Sequence, residues 1–169
     1  MDRIDPDFAA DERTTLAQFL DYQRDTLLLK TEGLDAAQLS TRIPTSELTL
    51  AGLLKHLALV EDDWMQVRFL GLPEAEPWAS APWDSDRDWE FHSAADDDPD
   101  ALRSLYRAAC ERSRTAVASA SLDDLSQSPG RDGRHSSLRW ILVHLIEETS
   151  RHNGHADLLR EAIDGEVGE

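Results

Sequence analysis

The C-terminal stretch SLRWILVHLIEETSRHNGHADLLREAID (137–164) constrains the fold more than any other segment. Taken at spacings of four and three, Ile141, Leu145, Glu148, His152, His155, Leu159 and Ala162 form one continuous stripe. Such a stripe is the inward seam of a helix packed in a bundle. Its two ends are apolar, but its middle three positions are a carboxylate and two imidazoles. Polar groups where Leu belongs are costly unless something satisfies them. Helical bundles often do so by building a metal site from inward-facing Glu and His. Residues four apart rise about 6 Å and turn by about 40°, so Glu148 and His152 can converge on one ion. The alternative is a buried hydrogen-bonded network without a metal. His144 sits one turn earlier, beside the seam rather than in it.

Three further segments carry helical periodicity. The first runs from about Asp11 to Glu32, with Leu16, Phe19, Leu20, Leu27 and Leu28 at helical spacing and Gly33 as its C′ residue. The second starts at Thr49, a good N-cap, and runs to Leu70 with Gly71 closing it. Its seam is Leu50, Leu53, Leu57, Val60, Trp64 and Val67, and His56 lies at the edge of that stripe. The third opens at Asp98 or Pro99 and ends near Ser119; the fourth opens at Ser136 or Ser137 and continues to Ile163, with Gly165 beyond. Each is about 20 residues or longer, near 30 Å, so the four can align side by side. No strand pattern or long-period repeat is visible. The expectation is an all-α four-helix bundle forming a single domain over residues 1–169.

The connections differ in character. Gly71 to Asp97 is long and contains Pro73, Pro77, Pro82, Trp78, Trp83 and Trp89. Long structureless loops are uncommon, and this one is too rich in Trp to read as disordered. It is expected to be a crossover between the second and third helices, packing across one end of the bundle and either sealing the core or shaping a pocket mouth. Ser128 to His135 is a turn-rich loop. His92 and His135 fall in loops and receive no role. Glu61 and Asp62 are read as surface charges or as supports for His56.

Acidic residues number 34 against 17 basic ones, a formal net charge of −17. That excess repels phosphate backbones and excludes direct binding to nucleic acid or an anionic membrane. No apolar run approaches the roughly 20 residues that span a bilayer. The acidic start lacks the apolar stretch of a secretory signal, so a cytoplasmic location is expected. Cys110 is the only cysteine, which excludes an internal disulfide or a multi-thiolate zinc knuckle. Within the helix YRAACERSRT it reads as a small packing residue rather than a reactive thiol.

The combination of HLALVEDDW (56–64) with EETSRHNGHADLLREAIDG (147–165) resembles the DinB-like superfamily of four-helix metalloproteins. That superfamily includes the mycothiol-dependent maleylpyruvate isomerase and other thiol-dependent transferases. The resemblance covers the chain from the first helix to Gly165. It implies a metal triad of one His from the second helix and two residues four apart on the last. Many members have His-x3-His followed by Arg-Gly-Gln, and the isomerase-like branch has Glu-x3-His. Glu148-x3-His152 fits the latter, so the implied ligands are His56, Glu148 and His152. His155 takes the position of the family Gln, as a fourth ligand, a general base or a supporting group.

Two neutral imidazoles and a carboxylate suit Zn²⁺, Ni²⁺, Fe²⁺ or Mn²⁺. Three protein ligands leave open positions, the pattern of a catalytic site, where an ion lowers the pKa of bound water or thiol. The expected function is a metalloenzyme acting on a small-molecule substrate. It would be a transferase or isomerase dependent on a low-molecular-weight thiol such as mycothiol, with hydrolysis as a variant and His155 as the catalytic residue. The competing expectation is a non-enzymatic protein of the same fold, with a structural metal or a ligand-sensing pocket. A homodimer is expected by analogy with other bundles of this kind.

Overall fold

A computed structural model describes residues 3–130 and 132–168. Four long helices carry the architecture: α1 (Glu12–Thr31), α3 (Leu50–Asp62), α5 (Pro99–Ser119) and α6 (Leu138–Asp164). A short α2 (Ala36–Leu39) follows α1, and α3 continues directly into a π-helical segment, Asp63–Phe69. The short α4 (Trp89–Ser93) and a 3₁₀ turn (Ala94–Asp96) lie within the crossover. α1 packs against α6, and α3 packs against both α5 and α6. The chain is thus an all-α bundle of the DinB-like kind, and no helix among the described residues is long and apolar enough to cross a membrane.

Local chemistry sets the helix ends. The Asp11 carboxylate accepts from the Thr14 amide at 3.1 Å, and Thr49 Oγ1 accepts from the Gly52 amide at 3.0 Å. Asp98 accepts from Asp100 and Ala101 ahead of Pro99 in the first turn, while Ser137 caps α6. Each satisfies a backbone donor that a helix start leaves orphaned. At the far end of α6, Gly165 adopts φ 82°, a left-handed conformation that favours glycine.

Side chains fill the interior as two apolar clusters. One contains Leu27, Leu53, Leu54, Leu57, Trp78, Tyr106 and Leu159; the other contains Leu20, Met65, Phe69, Leu138, Ile141 and Leu145. Polar residues of α1, α3 and α5 pair with one another inside the bundle. Arg24 donates from Nε and Nη2 to the two carboxylate oxygens of Glu61, both at 2.7 Å, and Ser113 Oγ donates to Glu61 at 2.6 Å. Asp62 accepts a two-pronged contact from Arg112 at 2.9 and 2.8 Å and the indole N–H of Trp78 at 2.9 Å. Glu61 and Asp62 are therefore neither surface charges nor supports for His56. They are buried carboxylates that lock α3 to α1, to α5 and to the crossover.

The π-helical segment explains where the second seam departs from its expected period. Leu70 donates to the Met65 carbonyl, an i to i+5 bond, and the wider turn carries Met65 and Phe69 inward. Trp64 and Val67, expected in the seam, are left half-buried. Phe19 and Ala162, also expected inside, are exposed. Cys110 is buried, and burial pushes its thiol up to about 12, so it is a packing residue and not a nucleophile.

The buried pair yields the first expected outcome. Arg24→Met leaves Glu61 as an uncompensated buried charge and lowers stability in urea denaturation by about 3–5 kcal/mol. Adding Glu61→Leu in the same chain recovers most of that loss. Equal destabilisation by the single and double variants contradicts the pairing.

A candidate metal centre between α3 and α6

His56 on α3 faces Glu148 and His152 on α6, and one ligand atom from each lies within 4.8 Å of the other two. The pairing follows from how the two helices cross. His56 and His152 meet edge to face with ring centroids 5.0 Å apart, and eight residues further along α3 Trp64 meets His144, eight residues earlier on α6, at 4.7 Å. The two helices thus run antiparallel in one constant register over about two turns. Glu148 is one turn from His152 on the same face, so both α6 ligands point across at α3.

The crossover supplies the rest of the site. It lies along α3, anchored by Trp78 on Asp62 at one end. At the other, Lys55 donates to Ser93 at 2.9 Å and Asp97 at 2.5 Å. Between these anchors α4 brings Glu90 and Phe91 to His56. The Phe91 ring stacks on the imidazole at 4.6 Å with an interplanar angle of 23°. A Cβ at position 52 would stand 3.0 Å from Phe91 Cδ1, so glycine there is what admits the ring. The crossover therefore both seals the core, through Trp78, and walls the site.

Hydrogen bonding fixes which nitrogens face the centre. His56 Nδ1 lies 3.0 Å from Glu90 Oε1, a hydrogen-bond distance that suits an Nδ1–H donating to the carboxylate. The opposite nitrogen, Nε2, then presents a lone pair toward Glu148 Oε1 at 3.6 Å. His152 Nε2 approaches the same oxygen at 3.3 Å. Both separations are long for hydrogen bonds, and the first sets two acceptors against each other. A cation between them resolves that conflict. Tetrahedral coordination with bonds of about 2.0–2.2 Å separates donor atoms by about 3.3–3.6 Å, which is what the two measured gaps show. The residues fit a divalent ion.

Protonation favours ligation. Burial opposes ionisation of Glu148, but His152 and His56, through their charge and hydrogen bonds when protonated, outweigh it and hold the carboxyl below its ordinary value. Burial, with His56 beside it, lowers the pKa of His152, which is therefore neutral under ordinary conditions. An anionic carboxylate and a neutral imidazole are the ligating states. The side chains of His56 and Glu148 keep 18% exposure and that of His152 keeps 11%, so the cluster lies just beneath the surface of the α3–α6 face.

The remaining histidines are placed as follows. His155 is half-buried with its Nδ1 3.3 Å from Nδ1 of His152, behind the ligand ring and away from the converging atoms. His144 packs against Trp64 and Trp140, outside the cluster. His92 belongs to α4 rather than a loop, but it is exposed and pairs with Asp86. His135 contacts the Ser126 carbonyl. Glu90 and Phe91 escaped the sequence reading because α4 is too short for a periodic pattern. The only signal was a carboxylate set between two aromatic residues, Trp89 and Phe91.

A family model described as mycothiol-S-transferase matches residues 15–165. No curated protein matches the chain by sequence. The solved structure of a conserved protein from Enterococcus faecalis superposes with a TM-score of 0.70, covering 94% of this chain and 100% of its own at 15% identity. At that identity the likeness is one of fold.

Metal titration of purified, chelator-treated variants tests the donor set. His152→Ala abolishes stoichiometric Zn²⁺ binding while helicity persists. Glu90→Ala weakens binding by about 10–100-fold through loss of the His56 tautomer. Unchanged metal affinity in His152→Ala contradicts the ligand assignment.

Proposed function

The chain belongs to the mycothiol-S-transferase family, and from that premise we propose that it is a metal-dependent transferase joining a low-molecular-weight thiol to a small electrophile. The observation that supports this most is the convergence of His56 Nε2, Glu148 Oε1 and His152 Nε2 on one point just beneath the surface of the bundle. A bound divalent ion supplies acidity, bringing a coordinated thiol or water to a pKa near neutrality. Zn²⁺ and Ni²⁺ suit this donor set best, with Fe²⁺ and Mn²⁺ as further candidates.

The protein's own groups perform the other tasks. His56, Glu148 and His152 hold the ion and leave further positions for the incoming sulfur. Glu90 keeps His56 in the tautomer that presents Nε2, and Phe91 shields that ring from water on the crossover side. His155, with its Nδ1 3.3 Å from Nδ1 of His152, stands behind the ligand ring, where a long N–H···N contact would steady its orientation. It is thus a positioning residue rather than a fourth ligand. In the overall reaction the thiol loses its proton to solvent. Sulfur then forms a bond to the electrophilic carbon, and the leaving group departs with its electron pair.

A purely structural ion is the competing reading, and the core argues against it. The two apolar clusters and the Arg24–Glu61 pair complete the interior without help from the cluster. The test pairs activity with stability. Metal-loaded protein is given an activated aryl halide with mycothiol, bacillithiol or glutathione. The expected result is an S-conjugate with mycothiol, lost in His152→Ala, and a small melting shift on chelation. No conjugate with any thiol, together with a large loss of stability on chelation, overturns the proposal.

A further inference from the structure

Beside the seam that carries the ligands, Trp64, His144 and Trp140 form a joined aromatic shelf: Trp64 and Trp140 lie 5.3 Å apart, and the Trp140 and His144 rings stack at 5.2 Å. The Arg68 guanidinium covers the Trp64 face at 4.5 Å. This shelf borders a cleft of about 680 Å³ whose rim includes Leu125, Arg134 and His135. That volume is within the range of small-molecule sites. Trp140 is 50% exposed, an unusual cost for so large an apolar ring.

We propose that this cleft binds the carbohydrate portion of the thiol, the shelf stacking a sugar ring and the rim residues bonding its hydroxyls. The inference rests on the transferase reading above. Mycothiol carries its cysteine in amide linkage on an amino-sugar joined to inositol, so its sulfur and its ring pair must occupy two places in one line. The structure offers such a line. Trp140 lies eight residues from Glu148 on the same regular helix, about 12 Å along its axis. That distance suits a ligand whose sulfur reaches the centre while its rings rest on the shelf. Indole faces take the C–H face of a sugar ring, and the guanidinium N–H groups that Arg68 and Arg134 do not give to Asp63 and Asp132 provide donors at its edge. Glutathione and bacillithiol differ in this distal part, so the cleft would set which thiol is used.

The test uses the cysteine-free amino-sugar–inositol unit as probe, with binding followed by calorimetry and by saturation-transfer NMR. The unit binds the wild-type chain equally well with and without chelator, and binds His152→Ala as it does wild type. Trp140→Ala, a change at a half-exposed position, weakens that binding by about tenfold. In the same variant KM for mycothiol rises while kcat stays near the wild-type value. Arg134→Ala, at an exposed position, provides a second variant with the same direction of change. Binding of the unit unaffected by either variant overturns the proposal, as does its failure to bind wild type while mycothiol transfer proceeds. Tryptophan-dependent binding of the unit in a protein that transfers no thiol leaves the sugar site standing and removes the transferase reading.

Discussion

Two imidazole nitrogens and a carboxylate oxygen aimed at one point across the α3–α6 seam are the interaction on which the account depends. The carboxylate of Glu90 commits His56 to presenting its lone pair inward, where Glu148 already presents another. Facing acceptors repel, and a positive centre between them would relieve that repulsion. The fold reaches this geometry economically. Two helices in constant register place His56 opposite His152, and the i to i+4 spacing on α6 adds Glu148. The crossover then comes in from outside to hold the ring that α3 alone leaves free to turn.

The bundle solves a second electrostatic problem in a different way. On the α1–α5 side of α3, Glu61 is buried but fully paired by Arg24 and Ser113. On the α6 side, Glu148 turns Oε2 toward the exposed Arg151 at 3.8 Å and Oε1 toward His56 and His152. Glu61 is thus neutralised by close buried partners, whereas Glu148 has only a long contact to a side chain at the surface. Buried ion pairs contribute little to net stability but are costly to break, which makes the Arg24–Glu61 pair a rigid support for the site. Asp62 extends that support to the crossover by holding Trp78 and Arg112 together.

Much of this was legible in the chain because helical period and capping chemistry are local. Thr49, Asp98 and Ser137 open three of the four long helices and Gly165 closes the last, and the polar interruption of the last seam located Glu148 and His152. Three features were not legible, each for a physical reason. Glu61 looked like a surface charge because its partner, Arg24, lies 37 positions away on a different helix. Met65 and Phe69 replaced Trp64 and Val67 in the core because a π turn breaks the period from which the seam was read. Glu90 lies on a helix of five residues, too short to show a face, so only tertiary packing reveals that it holds His56. His56 itself was chosen mainly through family resemblance, and the geometry supplies the independent reason for it.

Anomalous diffraction from crystals grown with Zn²⁺ tests the central claim most directly. The account predicts a single strong peak between α3 and α6, about 2.0–2.2 Å from His56 Nε2, a Glu148 carboxylate oxygen and His152 Nε2. A peak only among the acidic groups of the surface, with the Glu148 and His152 side chains turned out to bulk water, would contradict it.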